Sequence, residues 1–213
     1  MLQRAADDPH CLLLVEELKV ARGRWLRWGL PREAIERFQA FNEHTHTQLE
    51  PEILAKLKTG SSAVLMSDGG MPAFCDPGQQ LVDLCHLAKI RVTAAPADNS
   101  CALALALSGF SHRRFVFQGF LPQKDPERIK ALQEVWKSPL TQILMETPYR
   151  RQRLLEELMA SCPEAQKKRP IFIALELNGE SERLLRGEIK EVHQLCGALP
   201  KLEFVLVLAP TLN

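Results

Sequence analysis

From residue 63 onward the chain alternates short, continuously apolar runs with longer amphipathic stretches, a pattern that restricts it to a layered α/β fold. Ala63-Val64-Leu65-Met66-Ser67 runs into Asp-Gly-Gly, as a buried strand ending in a loop does. A helix is expected after Pro77-Gly78, with Leu81, Val82, Leu84, Cys85, Leu87 and Ala88 on its apolar stripe. Ile90-Arg91-Val92-Thr93 reads as the next strand. Cys101 to Ser108 reads as a helix of small residues, closed by Gly109. Phe115 to Phe117, Thr141 to Glu146, Pro170 to Leu177 and Leu202 to Ala209 read as four more strands. Helical patterns at 126–136, 151–161 and 188–196 separate them. The expectation is two small α/β units, residues 1–110 and 111–213.

Composition narrows the classes of function. Hydrophobic residues at 46% and charged residues at 25% are globular values, which argues against a disordered or coiled-coil chain. The longest apolar runs, 101–107 and 204–209, fall far short of the ~20 residues a membrane span needs. Cys11 to Val15 is too short and wrongly flanked for a secretory signal. A water-soluble cytoplasmic protein is expected. The six cysteines show no C-x-x-C pair and no zinc-type histidine spacing, so reduced thiols and no metal are expected. The net charge of +1 is unevenly spread, with 9 basic and 4 acidic residues between positions 112 and 153. Such a basic stretch attracts phosphate backbone or is an ordinary solvated face.

The segment richest in chemistry is Ser67-Asp68-Gly69-Gly70-Met71-Pro72-Ala73-Phe74-Cys75-Asp76-Pro77-Gly78. Glycines at the C-terminal edge of a strand let backbone amides and carbonyls approach a ligand closely. It is neither a phosphate loop nor a dinucleotide fingerprint. With its neighbours, the segment resembles the S-D-A-G-T-P-x-x-x-D-P-G motif of the tetrapyrrole methylase superfamily. The similarity is greatest to the branch that methylates a cytidine 2′-hydroxyl in small-subunit ribosomal RNA. Phe117 to Lys124, with Arg128, resembles F-x-G-F-L-P-x-K…R, and Glu146-Thr147-Pro148-Tyr149-Arg150 resembles E-S-P-x-R. Glu176-Leu177, Leu184 to Gly187 and Phe204 to Val207 follow in the family's order. Asn42-Glu43-His44 resembles its E-H segment, and Glu16 to Lys19 sits where it has A-E-D-T-R. The family's T-P-I-G-N-L loop has no counterpart, Ala97 stands for a glycine of P-G-P-S, and Met71 stands for a threonine.

The resemblance implies an S-adenosylmethionine-dependent methyltransferase with a cofactor cleft between the two units. Its implied cofactor contacts are Ser67, Asp68, Gly69, Gly70, Met71, Pro72 and Ser100 in the first half of the chain. Leu121, Met145, Glu146, Thr147, Tyr149, Glu176 and Leu177 supply the rest. A 2′-hydroxyl is a poor nucleophile until its proton leaves. Glu43, His44, Asp76 and, as an electrostatic aid, Lys124 are the candidates, and no spacing selects among them. Arg113, Arg114, Lys124, Arg128 and Arg150 would hold RNA phosphates. Ribosomal RNA and a second copy of the chain in a homodimer are the implied partners. A small-molecule methylase and a catalytically silent relative are the competing readings.

Overall fold

Cys11-Leu12-Leu13-Leu14-Val15 is apolar at every position, and a strand of that kind is stable only with both faces covered. The computed structural model, which describes residues 1–211, makes this run the centre of a three-stranded parallel sheet. Contacts group the chain into two units, Met1–Asn99 and Ser100–Asn213. The first contains α1 (Leu2–Asp7), β1 (Cys11–Val15), α2 (Leu18–Arg27), β2 (Phe38–Ala40), α3 (His46–Lys58), β3 (Ser62–Met66) and α4 (Gln79–Leu87). The strand order is β2-β1-β3, with Val15 level with both Ala40 and Met66. Side chains alternate across a strand, so Cys11 and Leu13 enter one core and Leu12 and Leu14 the other. Trp25 of α2 seals the first core, its indole N–H donating to the Pro31 carbonyl at 2.8 Å. Phe41, Ile53, Leu81 and Cys85 fill the second.

The sequence expectation of a strand at Ile90–Thr93 is not met. Residues 91–98 take no strand conformation and are exposed, which leaves β3 at an edge of the sheet. Strand propensity reflects a fit to neighbours, and Val92 and Thr93 have no ladder here to complete.

The second unit contains α5 (Ser100–Ser108), β4 (Phe115–Phe120), α6 (Glu127–Lys137), β5 (Thr141–Met145) and α7 (Arg151–Ser161). It continues with β6 (Ile171–Leu175), β7 (Arg183–Gly187), α8 (Ile189–Gly197) and β8 (Phe204–Leu208). Its five-stranded sheet runs β4-β5-β8-β6-β7, parallel only between β4 and β5. The helices α6, α7 and α8 cover one face with Leu132, Leu154, Leu158 and Val192. The small-residue helix α5, assigned by sequence to the first unit, covers the other face. Its Cys101, Ala104 and Leu105 pack on Ile143, Phe172 and Val205. Ala104 is fully buried, and a side chain that small lets the helix approach the sheet closely. Among the described residues no helix is long and apolar enough to cross a membrane.

Candidate functional site

Parallel strands put all their C-terminal ends on the same side of the sheet, where ligands of α/β proteins usually bind. In the first unit, Glu16 and Glu17 follow β1, Asn42 to His44 come just after β2, and Ser67 and Asp68 follow β3. These segments meet at an open cavity of about 470 Å³, also lined by His46, Cys75, Asp76 and Pro77. Local hydrogen bonds fix the three bends to one another. The Asp68 amide donates to Glu16 Oε2 at 2.9 Å, and the Asn42 side-chain amide donates to the Glu16 carbonyl at 3.2 Å. The Asn42 side chain in turn accepts from the His44 amide at 3.0 Å. Glu17 caps α2 by accepting from the Lys19 amide.

The loop from Ser67 to Gly78 stores backbone strain. Gly70 (φ +92°) and Gly78 (φ +129°) occupy the left-handed region, and so do Ala73 and Cys75, each at φ +64°. A non-glycine residue there costs about 1–3 kcal/mol and persists only where its surroundings impose it. Two bends impose it here: a bridge between Met71 and Phe74, and a bond from the Ala73 amide to the Pro77 carbonyl at 3.3 Å. Ser67 Oγ and Asp76 Oδ2 are buried without a well-formed hydrogen bond. Burial pushes the Asp68 carboxyl above the ordinary carboxylate range, and the charge of Glu16 adds to the effect. Burial does the same to Asp76; the Ser67 hydroxyl pulls it part of the way back, while Glu16 and Asp68 push it up. A cavity with this many carboxylates favours a cation and repels phosphate.

In the second unit a buried arginine organises two motif loops. Arg128, 1% exposed, donates from Nη1 to the Pro122 carbonyl at 2.9 Å and to Glu146 Oε2 at 3.3 Å. Its Nε donates to Glu157 Oε2 at 2.7 Å. Burial would raise the Glu157 carboxyl, but hydrogen bonds from Arg128 and Arg153 outweigh it and leave Glu157 below the ordinary range. Glu146, also buried, accepts from the Thr147 amide at 2.9 Å and lies 3.8 Å from Arg150.

Over residues 22–193 the sequence matches the family model of tetrapyrrole (corrin/porphyrin) methylases. The chain belongs to this methylase family. A ribosomal RNA small subunit methyltransferase I of Synechocystis is 37% identical over 79% of this chain and 58% of its own length. The protein of the same description from Mesorhizobium japonicum is 33% identical over 97% of this chain and 67% of its own. The chain thus spans a little more than half to two thirds of these relatives. A crystal structure of uroporphyrin-III C-methyltransferase from Thermus thermophilus, complexed with S-adenosylhomocysteine, shares the fold with TM-score 0.54. That match is 13% identical and covers 97% of this chain and 88% of the other.

Against this methylase frame the residues singled out from sequence separate clearly. Glu43, His44, Asp68 and Asp76 meet in the first-unit cavity. Glu43 and His44 pair with each other at 3.4 Å, each side chain 82% exposed. Ser67, Met71 and Pro72 are half-buried in the strained loop, and Gly69 and Gly70 are exposed on it. Ser100 is the exposed first residue of α5. Arg113, Arg114 and Lys124 are exposed, and Arg150 is a third exposed. Arg128 is the correction: its guanidinium is enclosed by two carboxylates and a carbonyl, so it does not face a phosphate. Leu121 lies in the core under α6, α7 and α8, whereas Met145 and Leu177 are partly buried against the core under α5. Tyr149 is exposed beneath the Lys201 ammonium, 4.6 Å from its ring centre, while Thr147 is half-buried. Glu176, at φ +48°, accepts from the Glu203 amide at 2.9 Å and so holds the entry to β8. Reasoning from sequence missed Glu16, Cys75 and His46 as cavity residues. For Glu16 a signal existed, since it directly follows a five-residue apolar run.

Proposed function

We propose that the chain binds S-adenosylmethionine at the carboxylate-lined end of the first sheet. It would methylate a hydroxyl of small-subunit ribosomal RNA, with a cytidine 2′-hydroxyl as the acceptor. One observation carries the reading: three strand ends bring Glu16, Asn42 and Asp68 to a single acidic cavity beside a strained glycine loop. The residues suit a sulfonium ligand, because the carboxylates favour its positive charge. When bound, the cofactor supplies an electrophilic methyl group. The chain's own task is to hold the acceptor in line, exclude water and receive a proton. Ser67 to Pro72 would contact the cofactor in the first unit. Arg113, Arg114, Lys124 and Arg150 of the second unit would contact RNA phosphates.

The relatives' descriptions support ribosomal RNA as the acceptor, and that acceptor implies work in the cytoplasm. The half-exposed edge of β3 supports a homodimer, since an unpaired apolar edge needs cover. Light scattering at tens of micromolar should give twice the chain mass; a monomer would remove this element. The central test is calorimetry with S-adenosylmethionine, followed by transfer of labelled methyl to isolated small ribosomal subunits. Binding with transfer to RNA is expected. No heat at millimolar cofactor overturns the reading, and binding with transfer only to small organic acceptors overturns its RNA part.

A further inference from the structure

The sequence pattern drew attention to Glu43 and His44, yet both side chains are solvated and pair only with each other. Two residues on, His46 is set differently. It lines the same cavity with its side chain 28% exposed, and its Nδ1 lies 3.0 Å from Glu50 Oε1. Glu50 is 2% exposed, one helical turn along α3. A buried carboxylate accepts hydrogen bonds, so Nδ1 carries the hydrogen and Nε2 keeps a lone pair. The backbone is fixed as well. The His46 amide donates to the Asn42 carbonyl at 3.0 Å, and the imidazole meets the fully buried Phe41 ring edge-on, with centres 6.1 Å apart. An imidazole held in one tautomer by a buried carboxylate, with its second nitrogen unengaged, is the arrangement of a general base.

We propose that His46 is the general base of the methyl transfer and that Glu50 is its positioning residue, an inference that rests on the function proposed above. His46 Nε2 takes the proton of the acceptor hydroxyl as the oxygen bonds to the methyl carbon. The carbon–sulfur bond breaks with its electron pair going to sulfur. A neutral imidazole, a neutral hydroxyl and a sulfonium thus become an imidazolium, an ether and a thioether. Other candidates fit less well. Asp76 turns Oδ2 away from solvent, and Glu43 and His44 lack a buried partner to orient them. The charged and titratable groups around His46 are Glu16 and Glu17 from the β1–α2 bend and Glu43 and His44 from its own loop. Asp68, Cys75 and Asp76 come from the loop after β3.

Spectra, kinetics and calorimetry test this. Nitrogen-15 spectra of histidine-labelled protein, recorded where the imidazole is neutral, should place the His46 hydrogen on Nδ1, and Glu50→Gln should redistribute the tautomers. An Nε2–H tautomer in the native protein overturns the proposal. In methyl transfer to small ribosomal subunits, His46→Gln should lower kcat by about 10²–10⁴-fold and Glu50→Gln by about 10–100-fold. Cofactor affinity by calorimetry should stay within about twofold. Glu52→Gln, which removes the other i,i+4 pair of the same helix, should leave kcat unchanged. The native rate should rise with pH along an ionisation that His46→Gln abolishes, and its persistence in the variant overturns the proposal. If native protein binds cofactor but transfers nothing to the subunit, the RNA reading falls, while the spectra still decide whether His46 presents a free nitrogen.

Discussion

The two sheets are buried to different degrees. In the second unit every residue of β6 and β8 is buried, and helices cover both faces. In the first unit the apolar residues of β3 are all partly exposed, at the edge of a sheet only three strands wide. The charged groups divide in the same way. The second unit encloses Arg128 between Glu146 and Glu157, each carboxylate within 3.3 Å of the guanidinium. The first gathers Asp68 and Asp76 under Glu16, with their carboxyl groups raised, beside a loop carrying two strained non-glycine residues. One unit is built as a scaffold. The other gives up local stability for a strained loop beside a cluster of carboxylates, a common bargain at functional sites.

The sharpest way to break this comparison is Arg128→Met. Buried Glu146 would lose its nearer cation and half-buried Glu157 one of two, and removing one partner of a buried pair costs about 3–5 kcal/mol. Urea denaturation should show that loss; a change under about 1 kcal/mol would mean the network is not a structural element. Gly70→Val is the counterpart in the first unit. A Cβ there meets only Asp76 Oδ2, at 3.7 Å, so the cost is backbone strain of about 1–3 kcal/mol rather than a clash. Calorimetry should show no cofactor binding by this variant. Retained affinity would reduce the loop to a plain turn.

Acid should move the two units in opposite directions, by less than either substitution. Glu157 has a lowered pKa in the fold. Its contribution is complete above the unfolded value of about 4.3 and is lost as pH falls below it. Asp68 and Asp76 have raised values, so their stabilising contribution is present below an unfolded value of about 3.9 and is lost as pH rises through their folded values. Glu203, raised by burial and then by Glu176, offsets part of the second unit's loss. Pulse proteolysis with peptide-resolved mass spectrometry between pH 6 and 4 should therefore show the first unit gaining on the second. Asp68→Asn with Asp76→Asn should remove the gain. The smallest effect belongs to Ala97→Gly. Ala97 is exposed, and glycine should cost about 0.4–1 kcal/mol through the freedom of the unfolded chain, measurable by thermal melts. A tighter cofactor affinity in that variant would show that the alanine methyl reaches the site.

Local pattern alone was enough for the α/β class and for the elements whose residues are apolar throughout. Thr141–Met145, Ile171–Leu175 and Phe204–Leu208 are strands as read, and Arg151–Ser161 is a helix with the expected ends. The motif from Ser67 to Gly78 was equally legible, because glycine and proline at a strand's end restrict the backbone wherever the chain runs. Contacts between distant segments decided the rest. Arg183–Gly187 carries two arginines and becomes a strand by pairing with β6, whereas Ile90–Thr93 has the stronger strand composition and no partner. Arg128 and His46 turn inward because Glu157 and Glu146 meet the first and Glu50 meets the second. Nothing in a charged residue's own neighbours along the chain distinguishes a solvated side chain from one whose desolvation is offset by a buried partner. Only the packed structure supplies that partner.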